Sequence, residues 1–414
     1  MSLTVRRLRA LAVLVIALTA AVFAVTWVAD RPLRRAEDLL EQGHPADAIR
    51  MLRSWEKQHA PTGRSQALTA RCLTESGYFQ NAIDIFKAVG AADTKELHAW
   101  ARAYLSLEQW ANALPLLQDL KSRDDQDADV LHELAACQAK LGKLEEALQT
   151  AQELLHHRES AHRAGLLIGA IELERGNKEA AVRSWEQIEQ FNPQFDDLQL
   201  PADEFLTQLA GLYTELGETQ RAETILTKAL NIRETAEAHF QAGLAADLQG
   251  NGEQAKSHWL RALELEQTHL NAREALARLA IADGDGAAAE EILRPVVSGS
   301  EQLRSSTTFL LQRAALMQGD EERAAFFQRQ TEQLRTRETI DAAVKRLLTE
   351  NPNSYWSQVV RSYQFAEQGN HHQSEQLLER LPAENEVAFV TELRQAVQNR
   401  GKLPDKERMP IKLF

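Results

Sequence analysis

A glycine followed five residues later by alanine, with apolar residues around three and four positions beyond, recurs along this chain. It stands at Gly43/Ala48, Gly77/Ala82, Gly142/Ala147, Gly176/Ala181, Gly217/Ala222, Gly250/Ala255, Gly284/Ala289 and Gly319/Ala324. Glu108/Ala113 fits with the glycine replaced, and Gly369/Ser374 fits with the alanine replaced. Successive turn positions lie 34, 31, 34, 34, 41, 33, 34, 35 and 50 residues apart. Alanine is common here, so a single match means little, but a period held over this many units does not arise by accident. Each unit reads as two helices: apolar residues at helical spacing, a glycine that ends the first helix at positive φ, then a small residue where the second helix crosses closely. Such a unit cannot bury its apolar face alone, so the units must stack.

The residues that recur resemble the tetratricopeptide repeat. The unit 203–236 carries Leu206, Leu209-Ala210, Tyr213, Gly217, Ala222, Leu226 and Ala229; the unit 236–269 carries Gly243, Gly250, Ala255, Trp259 and Ala262. The unit 162–195 supplies Gly169, Gly176, Ala181, Trp185 and a closing Pro193, and Trp356, Val359-Val360 and Tyr363 match the first helix of a last unit. The resemblance implies an all-α fold, an α-solenoid in which helix-turn-helix repeats wind into a right-handed superhelix. The chain then divides into a basic N-terminus (1–9), an apolar segment (10–29), repeats one to five (30–195) and an inter-repeat loop (196–202). Repeats six to nine (203–338) follow, then an extra helix and loop (339–354), a last repeat-like unit with a capping helix (355–399) and a loose tail (400–414). The sixteen residues added by the 50-residue spacing suffice for a separate helix at Thr339–Glu350, broken by Asn351-Pro352.

The N-terminal segment bears on location. Arg6, Arg7 and Arg9 precede a run without charge from Ala10 to Ala29, with Trp27 near its far end. Twenty helical residues span about 30 Å, the thickness of a bilayer core. A cleaved signal ending near Val22-Phe23-Ala24 is the rival, but its apolar region is usually shorter. The expectation is an uncleaved single-pass transmembrane helix in a bacterial inner membrane. The purely basic N-terminus places the bulk on the extracytoplasmic, periplasmic side.

Candidate chemistry is sparse. Cys72 and Cys137 fall at equivalent small-residue slots two repeats apart, too far for a disulfide, and read as buried thiols. Asp283-Gly284-Asp285-Gly286 resembles a calcium loop, but Arg294 stands where the closing glutamate is needed, so it reads as a turn. His156-His157 and His371-His372 have no further ligand at metal spacing. No phosphate loop or nucleophile elbow occurs, and repeats, anchor and caps leave no segment for a catalytic domain. The expectation is a non-enzyme without cofactor or metal. A net charge of −13 argues against nucleic acid as partner.

The resemblance implies that first-helix positions 2, 5, 9, 12 and 13 line a concave surface where partner peptides lie. Units two to five place Arg64, Arg71, Lys95, His98, Arg102, His132, Lys140 and Arg163 there, against Glu75, Asp129 and Glu174. Units seven to nine place Phe240, Leu244, Leu248, Ile281, Phe309, Leu316 and Met317 there, with Arg278 and Arg313. The expected function is a membrane-tethered scaffold whose groove, basic in its first half and apolar in its second, takes a protein or peptide partner, an acidic-plus-apolar segment by its complementarity. The alternative is an assembly subunit packed permanently into a cell-envelope complex.

Overall fold

The computed structural model describes residues 31–192, 194–195, 198, 200–298, 303–351, 354–382 and 387–410. Among these residues every regular element is helical. The uncharged run at 10–29 lies outside the described residues. Among those described, no helix is long and apolar enough to cross a membrane. The helices fall into two compact units, divided between His157 and Arg158 within the block expected as repeats one to five.

The first unit holds four helix pairs: α1 (Arg31–Glu41) with α2 (Pro45–Glu56), α3 (Gly63–Glu75) with α4 (Phe79–Val89), α5 (Thr94–Ser106) with α6 (Trp110–Arg123), and α7 (Ala128–Lys140) with α8 (Leu144–Leu154). Thr62 and Ser65 form a reciprocal capping box that starts α3, and Asp93 and Asp127 accept amide protons that start α5 and α7. One core runs through the middle of this unit, from Ala67 and Phe86 through Tyr104 and Leu117 to Leu134 and Cys137.

The second unit begins with α9 (Ala161–Glu174), α10 (Lys178–Glu186) and the single turn α11 (Ile188–Phe191). Three pairs follow: α12 (Ala202–Glu215) with α13 (Thr219–Ile232), α14 (Ala236–Leu248) with α15 (Gly252–Leu265), and α16 (Leu270–Ala282) with α17 (Gly286–Ser298). Then come α18 (Ser305–Met317), α19 (Glu321–Glu350), α20 (Tyr355–Glu367), α21 (His371–Glu379) and α22 (Ala388–Asn399). In the expected loop at 196–202, Leu198 and Leu200 pack, together with Phe195, against the core that contains Trp185 and Phe205.

The turn that defines the repeat closes as the glycine spacing predicts. At the end of α12, Gly217 sits at φ +78 and its N–H reaches the Thr214 carbonyl. The Glu218 N–H reaches back to Tyr213, so two orphan helix-end carbonyls are satisfied. Where glutamate replaces glycine, Glu108 adopts φ 55 and the same pair of bonds forms, to Leu105 and to Tyr104 from Gln109.

Seven residues before the turn the first helix carries Ala, Gly or Ser in every repeat except that of α18, where Gln312 stands, because the second helix crosses there. Ala36, Ala70, Ala101 and Ala135 fill that slot in the first unit, all fully buried. In two repeats of the second unit it is glycine. There the indoles of Trp185 and Trp259 occupy the space a β-carbon would take, 2.0 Å from Trp185 Nε1 at Gly169 and 2.2 Å from Trp259 Nε1 at Gly243. Each indole N–H donates to a first-helix carbonyl, Leu166 or Phe240, at 3.2 Å.

Two expectations for the C-terminal region need correction. The residues at 339–350 are not a separate helix. They continue α19, a single helix of 30 residues. Nothing between Thr331 and Thr339 breaks the helix, and its two halves bury different faces. Thr331 bonds Thr308 of α18, whereas Ile340, Val344 and Leu347 enter a terminal core with Val359, Leu378, Val390 and Leu393. Nor is the tail loose as far as Pro410. Met409 is buried in that terminal core, and the Tyr363 hydroxyl donates to the Pro404 carbonyl at 3.1 Å. Lys406 pairs with Asp341 at 2.6 Å and Arg408 grips Glu392 through two bonds of 2.7 Å. A Pro-containing segment has no helical periodicity to announce that it packs, which is why its apolar residues read as solvated.

Candidate functional site

The first helices of the two units carry different chemistry at equivalent positions. In the first unit the expected basic stripe is largely neutralised by carboxylates of the same face. Arg71, on α3, is only 10% exposed in its side chain and reaches Glu37 of α1 at 3.3 Å; Arg64 lies 3.7 Å from the same carboxylate. Lys95 pairs with Glu41. Arg102 bonds Glu75 at 2.8 Å and approaches Glu133 at 3.9 Å, and His98 meets Glu133 at 2.7 Å. Two hollows open along this seam and share Arg71. One, of about 410 Å³, is lined by Glu37, Arg64, Asp93 and Glu96; the other, of about 220 Å³, by Glu41, Glu75, Lys95, His98 and Arg102.

The expectation of a net-positive half-groove is therefore corrected, and its cause is traceable. Counting from the turn glycines, Glu37 and Glu41 hold the ninth and thirteenth positions of the first repeat, which precedes units two to five. Glu133 holds a sixth position, which the five-position pattern omits. Burial disfavours a charged His98, but the hydrogen bond and charge of Glu133 outweigh it and raise its pKa above the ordinary imidazole value. Of the remaining basic candidates, His132 is half-buried on α7, Lys140 is exposed at the end of α7, and Arg163 is half-buried at the start of α9 in the second unit.

In the second unit the expected apolar stripe divides into two sets. Phe240 and Ile281 are buried, at 7% and 4% exposure, and do not face a groove. Position 5 of α14 points Phe240 into a core with Trp259, Ala272 and Leu276, where its ring lies 5.4 Å from His269. Ile281 joins Ala289, Leu293, Leu310 and Leu311. The second set is open to solvent: Leu248 at 63%, Leu316 at 55%, Met317 at 43% and Phe309 at 39%. Phe309, Arg313, Leu316 and Met317 share one face of α18, at spacings of four, seven and eight residues from Phe309. The Arg335 guanidinium covers Phe309 at 5.5 Å from the ring centroid. Leu244 and Arg278 come together in a hollow of about 180 Å³, with Asp247, Ala275, Leu279 and Ala282. Arg278 and Arg313 are exposed, and among the described residues no ion pair or side-chain hydrogen bond to either is found.

The remaining motifs are accounted for locally. Cys72 and Cys137 are free and buried, and burial pushes both thiols up to about 11. Asp285 caps α17 by accepting the Ala288 amide at 2.8 Å, and Gly284 holds the turn at φ +85. His156, just past the end of α8, bonds the Glu153 carbonyl, and His372 bonds Gln376. Among the described residues no three His, Cys, Asp or Glu side chains converge on a metal-sized space.

Models of the tetratricopeptide repeat match residues 33–95, 98–163, 138–197 and 206–239, so the chain carries these repeats in both units. No curated protein matches the chain. Among solved structures it is similar to a tetratricopeptide repeat protein from Parabacteroides merdae, at 20% identity over 58% of this chain and 93% of that one, with a TM-score of 0.48. It is also similar to the C-terminal part of a repeat-containing protein from Cytophaga hutchinsonii, at 15% identity over 58% and 97%, with a TM-score of 0.48. A third is PilW, a widely conserved type IV pilus biogenesis factor, at 18% identity over 57% and 98%, with a TM-score of 0.42.

Proposed function

We propose that the chain is a non-enzymatic scaffold, tethered to a membrane by residues 10–29, that binds protein or peptide segments on the first-helix face of its repeats. The observation that carries the binding part is the row of exposed apolar side chains on α18. Phe309, Leu316 and Met317 lie on the face that the repeat does not use for its own core, while Leu310, Leu311, Ala314 and Ala315 of the same helix are buried. Large apolar groups concentrated on one helix face beside free cations mark a contact surface better than solitary exposed leucines do. The tether rests on the uncharged run from Ala10 to Ala29 behind Arg6, Arg7 and Arg9.

A photo-crosslinking residue placed at Leu316 in living cells should yield discrete protein adducts. The same residue at Leu260, exposed at 47% on the second helix α15, should yield none. Adducts at 260 but not at 316 would move the contact to the opposite face. In the same cells the chain should resist alkaline extraction from membranes and keep its N-terminal segment. A mature chain starting near Val25 would remove the tether and leave the binding face standing.

A further inference from the structure

The ninth position of the first helix carries arginine four times: Arg71 and Arg102 in the first unit, Arg278 and Arg313 in the second. In the first unit each of these arginines holds a carboxylate from a neighbouring first helix, Glu37 for Arg71 and Glu75 for Arg102. In the second unit the position that precedes Arg278 by one repeat is Leu244, and no described carboxylate reaches Arg278 or Arg313. Asp247 lines the hollow beside Arg278 without pairing with it, and Glu274 of α16 is buried and occupied by the Ser306 and Thr307 hydroxyls at 2.7 and 2.5 Å. Arg335 adds a third cation over Phe309, one helical turn from Arg313.

Resting on the proposed binding face, we infer that α14, α16 and α18 take a partner segment that is both acidic and apolar. Its carboxylates fill at Arg278 and Arg313 the places that Glu37 and Glu75 fill in the first unit. Its apolar side chains cover Leu316 and Met317 on one side and Leu248 on the other. Helices α16 and α18 pack directly on each other, and packed helix axes lie about 10 Å apart. An extended chain rises about 3.3 Å per residue, so the two carboxylates belong about three residues apart. A nucleic acid or a purely acidic polymer is disfavoured, since it would bring nothing to cover the leucines and would meet a protein of net charge −13.

The probe is a phage-displayed library of random dodecapeptides, selected on the full chain and, in parallel, on two variants. One carries Arg278→Glu with Arg313→Glu; the other carries Leu316→Ser with Met317→Ser. All four altered positions are exposed, and circular dichroism checks that each variant keeps its helices. Peptides enriched on the parent should carry two Asp or Glu residues about three apart, with Leu, Ile or Phe beside them. They should bind the charge-reversed variant about tenfold more weakly, as loss and reversal of two exposed ion pairs implies. That variant should instead enrich Lys and Arg. The serine variant should lose the same peptides with little change in salt dependence. Enrichment without acids, or enriched peptides that bind both variants like the parent, would overturn the inference and leave peptide binding intact at another place. No enrichment by the parent would overturn the binding face itself, and the inference with it.

Discussion

Arg71 and Arg313 occupy the same position of the same repeat and do opposite things. Arg71 is nearly buried and held by Glu37, so its charge is spent joining one repeat to the next. Arg313 stands in solvent beside Leu316 and Met317, with its charge available. The difference extends to the interiors. The first unit uses alanine at the crossing slot against Leu52, Phe86 and Leu117, whereas two repeats of the second use glycine against tryptophan. A repeat sets where a side chain stands; neighbouring repeats decide whether that side chain is structural or free to bind. The first unit has turned its inner face into an internal seam, and the second has kept part of it open.

The largest effect should come from the crossing slot. Gly169→Ala or Gly243→Ala places a β-carbon 2.0 or 2.2 Å from an indole nitrogen, far inside van der Waals contact, and the tryptophan must leave or the helices must part. Helix propensity favours the alanine by about 1 kcal/mol, but overpacking costs about 1–3 kcal/mol and the indole also loses its carbonyl acceptor. Urea unfolding should show net destabilisation, with hydrogen exchange loosening first in the adjoining helices of the second unit. Pairing Gly169→Ala with Trp185→Leu reproduces the Ala210/Leu226 combination already present and should recover much of the loss. A stabilised single variant would mean that the indole can move aside at no cost, and the contrast in interiors would be of no consequence.

Removing the seam should cost less. Glu37→Ala leaves Arg71 with 10% exposure and without its carboxylate, which should cost about 1–2 kcal/mol once partial solvation is allowed for. Arg313→Ala should stay within about 0.5 kcal/mol, as substitutions at solvated sites do. Equal losses for the two would erase the distinction between seam and open face.

The repeat was legible because its two requirements are local. A residue that can hold positive φ ends each first helix, and a small residue five later lets the second one cross; both sit at fixed offsets that a sequence displays directly. Which exposed positions remain available was not legible at that range. Glu37 and Arg71 are 34 residues apart and become partners only through stacking. Position 5 shows the same limit. At Phe240 it faces the core, whereas at Phe309 it faces solvent under Arg335, although the pattern treats both alike. The extra sixteen residues before the last unit announced more helix but not its continuity, since a spacing counts residues without saying which helix they extend. The Pro404–Met409 segment packs without any periodicity at all.

The smallest effect is a titration that separates the seam from an ordinary surface pair. His98 is half-buried and its pKa is raised, because the bond and charge of Glu133 exceed the burial penalty. A raised folded-state pKa means the pair adds stability that is fully present below the unfolded imidazole value of about 6.5 and is lost as pH climbs through the higher folded value. The first unit should therefore lose a few tenths of a kcal/mol to about 1 kcal/mol on passing upward through that window. Glu133→Gln removes the charge and keeps the burial, so His98 should then titrate below the ordinary value and the stability trend should reverse in sign. Imidazole carbon shifts followed by NMR from pH 5 to 9 give the His98 midpoint in the parent and the variant directly. An unchanged His98 midpoint in Glu133→Gln would show that the carboxylate is merely nearby, and the seam would then end at Arg102.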